Sequence, residues 1–450
     1  MTTTDEDLHE DVHPGRQKIS LAIAVAAMAP GVFLRIAEPH LAHGLEALLF
    51  GLAIVGAAFL LSWAAEAAQL DISAGLAIAV LAFIAVLPEY AVDLVFAVKG
   101  GNAFEASGYV DCPAPEGLTE SPCSLALANM TGANRLLIGI GWTLVVFVAW
   151  YRYRRRGQRI EGITLERTHS VEISFLAVAT AYSLTLPLKS SITLVDAAIL
   201  VGIFILYTIR ISKAPAEEPH LVGPARWIGG FSTRGRRSSV VGLFLLAAAV
   251  ILLCAEHFAE ALVETGAGLG IGEFFLVQWL APLASEAPEL LVALLYAWRL
   301  NTNAGLGTLV SSKVNQWTLL VGTLPIAFAI SSSSLHGLPI IDRQQDELFL
   351  TAAQSLFAVA VLLNLTMSVR EAGFLFVLFW AQFIAGAVVP EEHHSFELRL
   401  FAVAYLVLAA WLLVGGRRRI PRLLRDGFRE PYDVLVIEDD GTGAIRGTHA

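Results

Sequence analysis

Charged side chains are scarce in this chain: Asp, Glu, Lys and Arg make up 16% of its 450 residues, against 56% hydrophobic ones, and the mean hydropathy is +0.65. A soluble all-helical enzyme would need polar faces on most of its helices, and the apolar stretches here lack them. Several catalytic signatures are missing as well. No His-Glu-x-x-His occurs, which argues against a zinc intramembrane protease, and His393-His394 is a loop pair. Asp93 and Asp196 lack the setting of an intramembrane aspartyl protease. Without a Gly-x-x-x-x-Gly-Lys-Ser/Thr motif, no ATP-driven step is expected. No enzyme activity or cofactor is therefore anticipated. The expected surroundings are a lipid bilayer, with no nucleic acid and no ATP as partner.

Only three cysteines occur. Cys112 and Cys123 share one loop with Pro113, Pro115 and Pro122, expected on the outer, oxidising side, where the two can form a disulfide. Cys254 lies inside an apolar stretch and reads as small core packing. The segment Met1–Lys18 is acidic and polar with no basic lead into a short apolar core, so no cleaved signal peptide is expected. The net charge of −10 comes partly from the two tails and says little about substrate.

What the chain does have is a succession of apolar stretches, each about 18–27 residues long, the length that spans a bilayer. Twelve are read, at 18–36, 44–65, 72–98, 124–151, 170–187, 192–210, 238–264, 272–298, 305–330, 347–366, 372–390 and 397–415. With twelve crossings every basic cluster falls on one side: Arg16 and Lys18, Tyr151-Arg-Tyr-Arg-Arg-Arg156, the 211–237 segment, Arg299, Arg370 and Arg417-Arg-Arg419. Basic loops face the cytoplasm, so both termini are placed there, in a plasma membrane and specifically a bacterial inner membrane. The basic runs read chiefly as topology signals, with binding of anionic lipid as a lesser role.

Within these stretches a Pro-Glu pair occurs twice, as Leu87-Pro88-Glu89 and Ala287-Pro288-Glu289. A carboxylate inside the bilayer costs about 2.5–3.5 kcal/mol on insertion scales and marks an ion pathway by default. Each pair is followed, one stretch later, by a polar cluster ending in Asn: Asn129-Met-Thr-Gly-Ala-Asn134, then Ser311-Ser-Lys-Val-Asn315. Superposing the pairs also brings Glu66 near Glu260, once a glycine-rich insertion, Gly266–Gly270, is allowed for. The expected organisation is thus a cytoplasmic N-terminus with an extra helix (1–43), a first five-helix repeat (44–210), a cytoplasmic linker (211–237), a second repeat (238–390), and an extra helix with a cytoplasmic tail (391–450). Five is odd, so the second repeat enters the membrane from the other side. Inverted repeats of this kind build many secondary transporters, with substrate bound near the midplane.

Helical spacing puts Asp93 on the face of Glu89 and Glu286 on the face of Glu289. If the two helices meet, four carboxylates converge, a hard-oxygen environment suited to Ca2+ or Na+. Proline removes a backbone donor, and the carbonyls freed near Pro88 and Pro288 would add ligands. Asn129, Thr131, Asn134, Ser285, Ser311, Ser312 and Asn315 are further candidates; simple interhelical hydrogen bonding is the alternative for the acids, more so for Asp93 and Glu286. Lys313 stands where the first half has Gly132. A lysine there needs a partner, with Glu286 or Glu289 the natural candidates, as a fixed ion pair or as a group that exchanges its proton against a cation. Glu256, Glu260 and Glu264 share one face near an external helix end, as a solvated end or an entry funnel; His257 is weak evidence for a proton relay.

These motifs resemble the Ca2+/cation antiporter superfamily, which includes the sodium/calcium exchangers. Leu87-Pro88-Glu89-Tyr90 and Asn129–Asn134 look like its first repeat; Ala284-Ser-Glu-Ala-Pro-Glu289 and Val310-Ser-Ser-Lys-Val-Asn315 look like its second. The likeness covers 44–390. It implies an all-α membrane protein of about twelve helices, whose ten-helix core binds Ca2+ through the two glutamates and exchanges it for Na+, H+ or K+ by alternating access. Family members usually carry Gly-Thr-Ser before the Pro-Glu; here stand Ala85-Val86-Leu87 and Ala284-Ser285-Glu286. One hydroxyl survives of four, which weakens the expectation of Na+ sites. The functional expectation is an antiporter exchanging Ca2+ or a related cation for Na+ or H+. A Na+/H+ antiporter is the first alternative, and a non-transporting scaffold or sensor the second.

Overall fold

The computed structural model describes residues 14–39, 41–71, 87–214, 221 and 223–436. Among these, eleven helices are long and apolar enough to cross a membrane. The long helices are α1 (Pro14–Ala37), α2 (His43–Ala68), α3 (Leu87–Ala106), α4 (Pro122–Arg155), α5 (Ser170–Ser183) and α6 (Leu194–Ile211). A short α7 (Pro224–Gly229) precedes α8 (Thr233–Leu269), α9 (Glu273–Trp298) and α10 (Thr302–Ser331). Then come α11 (Asp342–Val361), α12 (Val369–Val388), α13 (His394–Gly416) and a short α14 (Ile420–Phe428). Eleven of the twelve expected spans match within a few residues. Of the third, residues 72–86 lie outside the described residues, and the rest is α3, which runs on to Ala106.

Helix ends depart from expectation where caps, rather than hydropathy, set them. The glycine-rich insertion at 266–270 is not a loop: α8 continues through it and stops at Gly270, whose left-handed backbone (φ +65°) closes the last turn. At the other end, Ser232 accepts from the Gly235 amide and starts α8 inside the expected linker.

The same order of elements occurs twice. Asn134 in α4 and Asn315 in α10 are each followed at once or nearly so by a π-helical turn, Leu137–Trp142 and Gln316–Leu320. A three-residue strand, β1 (Gly162–Thr164), lies between α4 and α5, and β2 (Ser191–Ile192) between α5 and α6; β3 (Leu338–Pro339) and β4 (Thr366–Ser368) occupy the matching places in the second half. Thr193 with Asp196 caps α6, and Ser368 with Glu371 caps α12, each box 175 positions from the other.

Pairing of these strands is crossed. β1 joins β4 antiparallel (Gly162 opposite Ser368), and β2 joins β3 (Ser191 opposite Pro339). Each sheet therefore takes one strand from each half.

Apolar side chains gather in two main clusters. One is built from α1, α2 and α8, with α7 and one face of α3, α4 and α9; the other fills the space among α4 to α6 and α9 to α13. Where α1 meets α2, Gly31 and Gly56 leave no room for a β-carbon, so the two backbones lie in contact. The candidate site is at the seam of the two clusters.

Candidate functional site

Two of the expected carboxylates meet on one side chain that the sequence analysis did not single out. Gln316, the residue after Asn315, is fully buried in the π turn of α10. Its amide nitrogen donates to Glu286 Oε1 at 2.5 Å and lies 3.3 Å from both oxygens of Glu89. Glu89 from α3 and Glu286 from α9 are each 1% exposed. One amide thus bridges acids from the two halves. Glu289, half-buried one turn along α9, accepts from the Ser312 hydroxyl at 2.5 Å.

Asp93 stands one turn further along α3, where Asn129 donates to its Oδ1 at 2.7 Å. It is the outlying member of the four. Asn134 and Lys313 form a separate contact. Lys313, with no exposed surface, donates to Oδ1 of Asn134 at 2.5 Å and to its backbone carbonyl at 3.1 Å, and its ammonium lies 4.6 Å from the centre of the Trp317 ring. The expected pairing with Glu286 or Glu289 is not the one made. The lysine instead reaches across to α4, where Asn134 offers it both a side-chain and a backbone oxygen. Ser285 turns its hydroxyl back to the carbonyls of Ala281 and Pro282, both at 3.2 Å, and Thr131 bonds within its own helix.

The supply of acceptors exceeds that of donors. Glu286 Oε2, Asp93 Oδ2, Asn129 Oδ1, Asn315 Oδ1 and Gln316 Oε1 are all buried and accept no hydrogen bond. Buried polar atoms are normally paired, and leaving one unpaired costs about 1–3 kcal/mol. Five such oxygens on adjoining helices are what a hard cation, or protons on the carboxylates, would satisfy.

Helix chemistry explains how so polar a centre packs. Pro288 stands within the continuous helix α9 beside Glu289, and Pro282 lacks the amide that would bond the Gln278 carbonyl. That freed carbonyl faces Gly132 of α4, so closely that a β-carbon there would overlap it. The Gln278 side chain reaches Thr131 Oγ1 at 3.4 Å. Beside Asn134, Arg135 is also buried; it pairs with Glu347 at 2.6 Å and lies over Trp279 at 5.1 Å. Neither Gln278, Arg135 nor Gln316 was anticipated, although Gln278 is a lone polar residue in an apolar run and the other two directly follow the motif asparagines.

A cavity of about 190 Å3 adjoins this centre. Glu289, Ser285 and Pro88 line it together with Glu66, Gln69 and Tyr296. At the opposite end, a separate cavity of about 220 Å3 is lined by Glu46, His257, Glu260 and Glu264 and includes none of the central acids. The acids of that end are engaged. Lys99 lies 3.3 Å from Glu256 and 2.5 Å from Glu260, and His43 lies 2.6 Å from Glu264. His257 stacks on Phe50 and contacts none of the central residues. Cys112, in the loop before α4, is bonded to Cys123 in the first turn of that helix, with their Cα atoms 6.3 Å apart. Cys254 is a free, buried thiol.

The sequence profile of the sodium/calcium exchanger protein family matches residues 44–213 and 239–389. Among solved structures, that of the H+/Ca2+ exchanger CAX is 40% identical with a TM-score of 0.82, covering 94% of this chain and 99% of that one. Selenium-substituted YfkE, described as a Ca2+/H+ antiporter protein, shares 13% identity and a TM-score of 0.57 over 87% of this chain, a likeness of fold alone. No protein of curated function matches the chain.

Proposed function

Because the chain belongs to the sodium/calcium exchanger protein family, whose members move inorganic cations across membranes rather than catalyse reactions, we propose that it is a secondary-active antiporter exchanging Ca2+ for H+. The observation that carries this reading is the Gln316 bridge between Glu89 and Glu286, surrounded by unpaired buried oxygens. Ca2+ takes six to eight oxygen ligands. Glu89, Glu289 and Glu286 supply charge, with Asn315, Gln316 and Ser312 as neutral donors; Asn129 and Asp93 extend the set. When the ion leaves, the same carboxylates take up protons, which removes the cost of several buried negative charges without any second cation. Coupling to H+ rather than Na+ is favoured by the 40% identity to an H+/Ca2+ exchanger and by the lost hydroxyls at Ala85-Val86-Leu87.

Two inverted repeats, 44–210 and 238–390, would supply one Pro-Glu each. Support comes from the crossed strand pairs, the matched capping boxes and the matched π turns, all of which a twofold relation between halves would produce. The basic clusters support a reading in which both termini lie on the cytoplasmic side of a plasma membrane. In keeping with one shared side, Arg152 at the end of α4 donates to the Trp298 carbonyl at the end of α9, and Arg210 at the end of α6 reaches Gly427. Glu66, Gln69 and Tyr296, near the ends of α2 and α9 on this same side, line the cavity at Glu289, which supports access to the site from the cytoplasmic side.

The test is flux in proteoliposomes under imposed H+ or Na+ gradients. Ca2+ uptake driven by H+ alone is expected, with loss of at least about a hundredfold in Glu89→Gln and Glu289→Gln, since each removes a charged ligand worth several kcal/mol. Uptake that requires Na+ would reject proton coupling; Na+ movement without Ca2+ would favour a Na+/H+ antiporter. Undiminished flux in both variants would sink the antiporter reading.

A further inference from the structure

Arg135 directly follows Asn134, as Gln316 directly follows Asn315. The two side chains meet the same helix at different heights. Gln316 holds α9 at Glu286, and the Arg135 guanidinium lies over Trp279, 5.1 Å from the ring centre. The stretch of α9 beyond Trp279 carries Glu286 and Glu289 together with Pro282 and Pro288. Each proline removes one backbone donor, so the course of this stretch depends more on what packs against it than an unbroken ladder would allow.

Arg135 is itself fixed from several sides. It is 1% exposed, its Nη2 lies 2.6 Å from Oε2 of the buried Glu347 on α11, and its Nε donates to the Thr131 carbonyl at 3.4 Å. Thr131 in turn receives the side-chain amide of Gln278, the residue before Trp279, at 3.4 Å. The Gln278 carbonyl lies against Gly132, where a β-carbon would not fit. One turn of α4, residues 131–135, therefore grips Gln278 and Trp279 of α9. A buried ion pair is by itself weak evidence for stability, whereas a planar guanidinium can meet a carboxylate and cover an indole at once.

We propose that Arg135 is a positioning residue of the transport site: braced by Glu347, it holds α9 at Trp279 and thereby sets where Glu286 and Glu289 stand relative to Glu89. It acts through α9 and does not itself bind the cation. The inference rests on Ca2+ binding at those acids, the reading proposed above.

Ca2+ binding to the full chain in detergent, and H+-driven uptake in proteoliposomes, test this. Arg135→Lys keeps a positive charge opposite Glu347 but loses the planar face over Trp279. It should raise the Kd and the KM for Ca2+ about tenfold to a hundredfold, with kcat unchanged. Trp279→Leu should do the same, and Trp279→Phe, which keeps an aromatic face, should bind as the unaltered protein does. Arg135→Lys with Trp279→Leu should bind no more weakly than either change alone, because both undo one contact. The two tryptophan variants decide the matter if the arginine variant fails to fold. A Kd unchanged in Arg135→Lys and Trp279→Leu, even with a lower Tm or kcat, would overturn this inference and leave the antiporter reading standing. An unaltered protein that binds no Ca2+ would overturn both.

Discussion

Lys313 is a fully buried lysine whose hydrogen bonds, among the described residues, go to Asn134. A hydrogen bond to a charged group contributes about 1.5–3 kcal/mol, and stranding that group costs more. Asn134→Ala should therefore lower the unfolding free energy by at least roughly 2 kcal/mol, read as a fall in Tm. Lys313→Met in the same background should restore most of it, because the neutral thioether needs no acceptor. Two additive losses would show instead that each residue acts with other partners. At this scale the sequence displayed the acids well, since a carboxylate in an apolar run stands out. Gln316 escaped notice because glutamine is neutral and the family motif stops at Asn315; what makes it central is the π turn, which re-aims the helix by one residue and leaves no trace in composition.

Among elements, α2 and α8 are tied at both ends. At one end His43 meets Glu264; at the other, Asp71, just past α2, takes both arms of Arg236 at 2.6 and 2.9 Å, with Arg237 at 3.2 Å. Hydrogen bonding from Arg236 holds the Asp71 carboxyl below its ordinary value of 3.8, against the opposing effect of burial and with help from Arg237. A depressed pKa in the folded state contributes stability that is complete above about pH 4 and lost as pH falls through the lower, folded value. Asp71→Asn should thus lower Tm near neutral pH, and the gap to the unaltered protein should narrow as the pH falls below about 4. A gap that stays constant over that range would show that Asp71 acts only by shape. The charges were plain in the sequence but the tie was not, because residues 71 and 236 come together only once α2 and α8 pack side by side.

For the molecule as a whole, apolar length disclosed nearly every spanning helix, since the bilayer sets that length directly. The four strands were illegible. At two or three residues each they are too short for an alternating pattern to register, and what selects them is position. Gly162 and Gly337 hint at them afterwards, as both sit where a side chain would strike the opposite strand. These short ladders have a mechanical meaning. Because each takes one strand from either half, the halves are laced together at both ends, and the 211–237 segment is not what keeps them joined. A protease site placed between residues 215 and 220 and then cut should leave two fragments that copurify and still carry Ca2+; fragments that part on cutting would show the lacing to be too weak for this. A laced frame resists opening like a hinge between its halves. In the antiporter proposed above, the part left free to move would be the bundle of α1, α2 and α8, a shutter across a window that stays put.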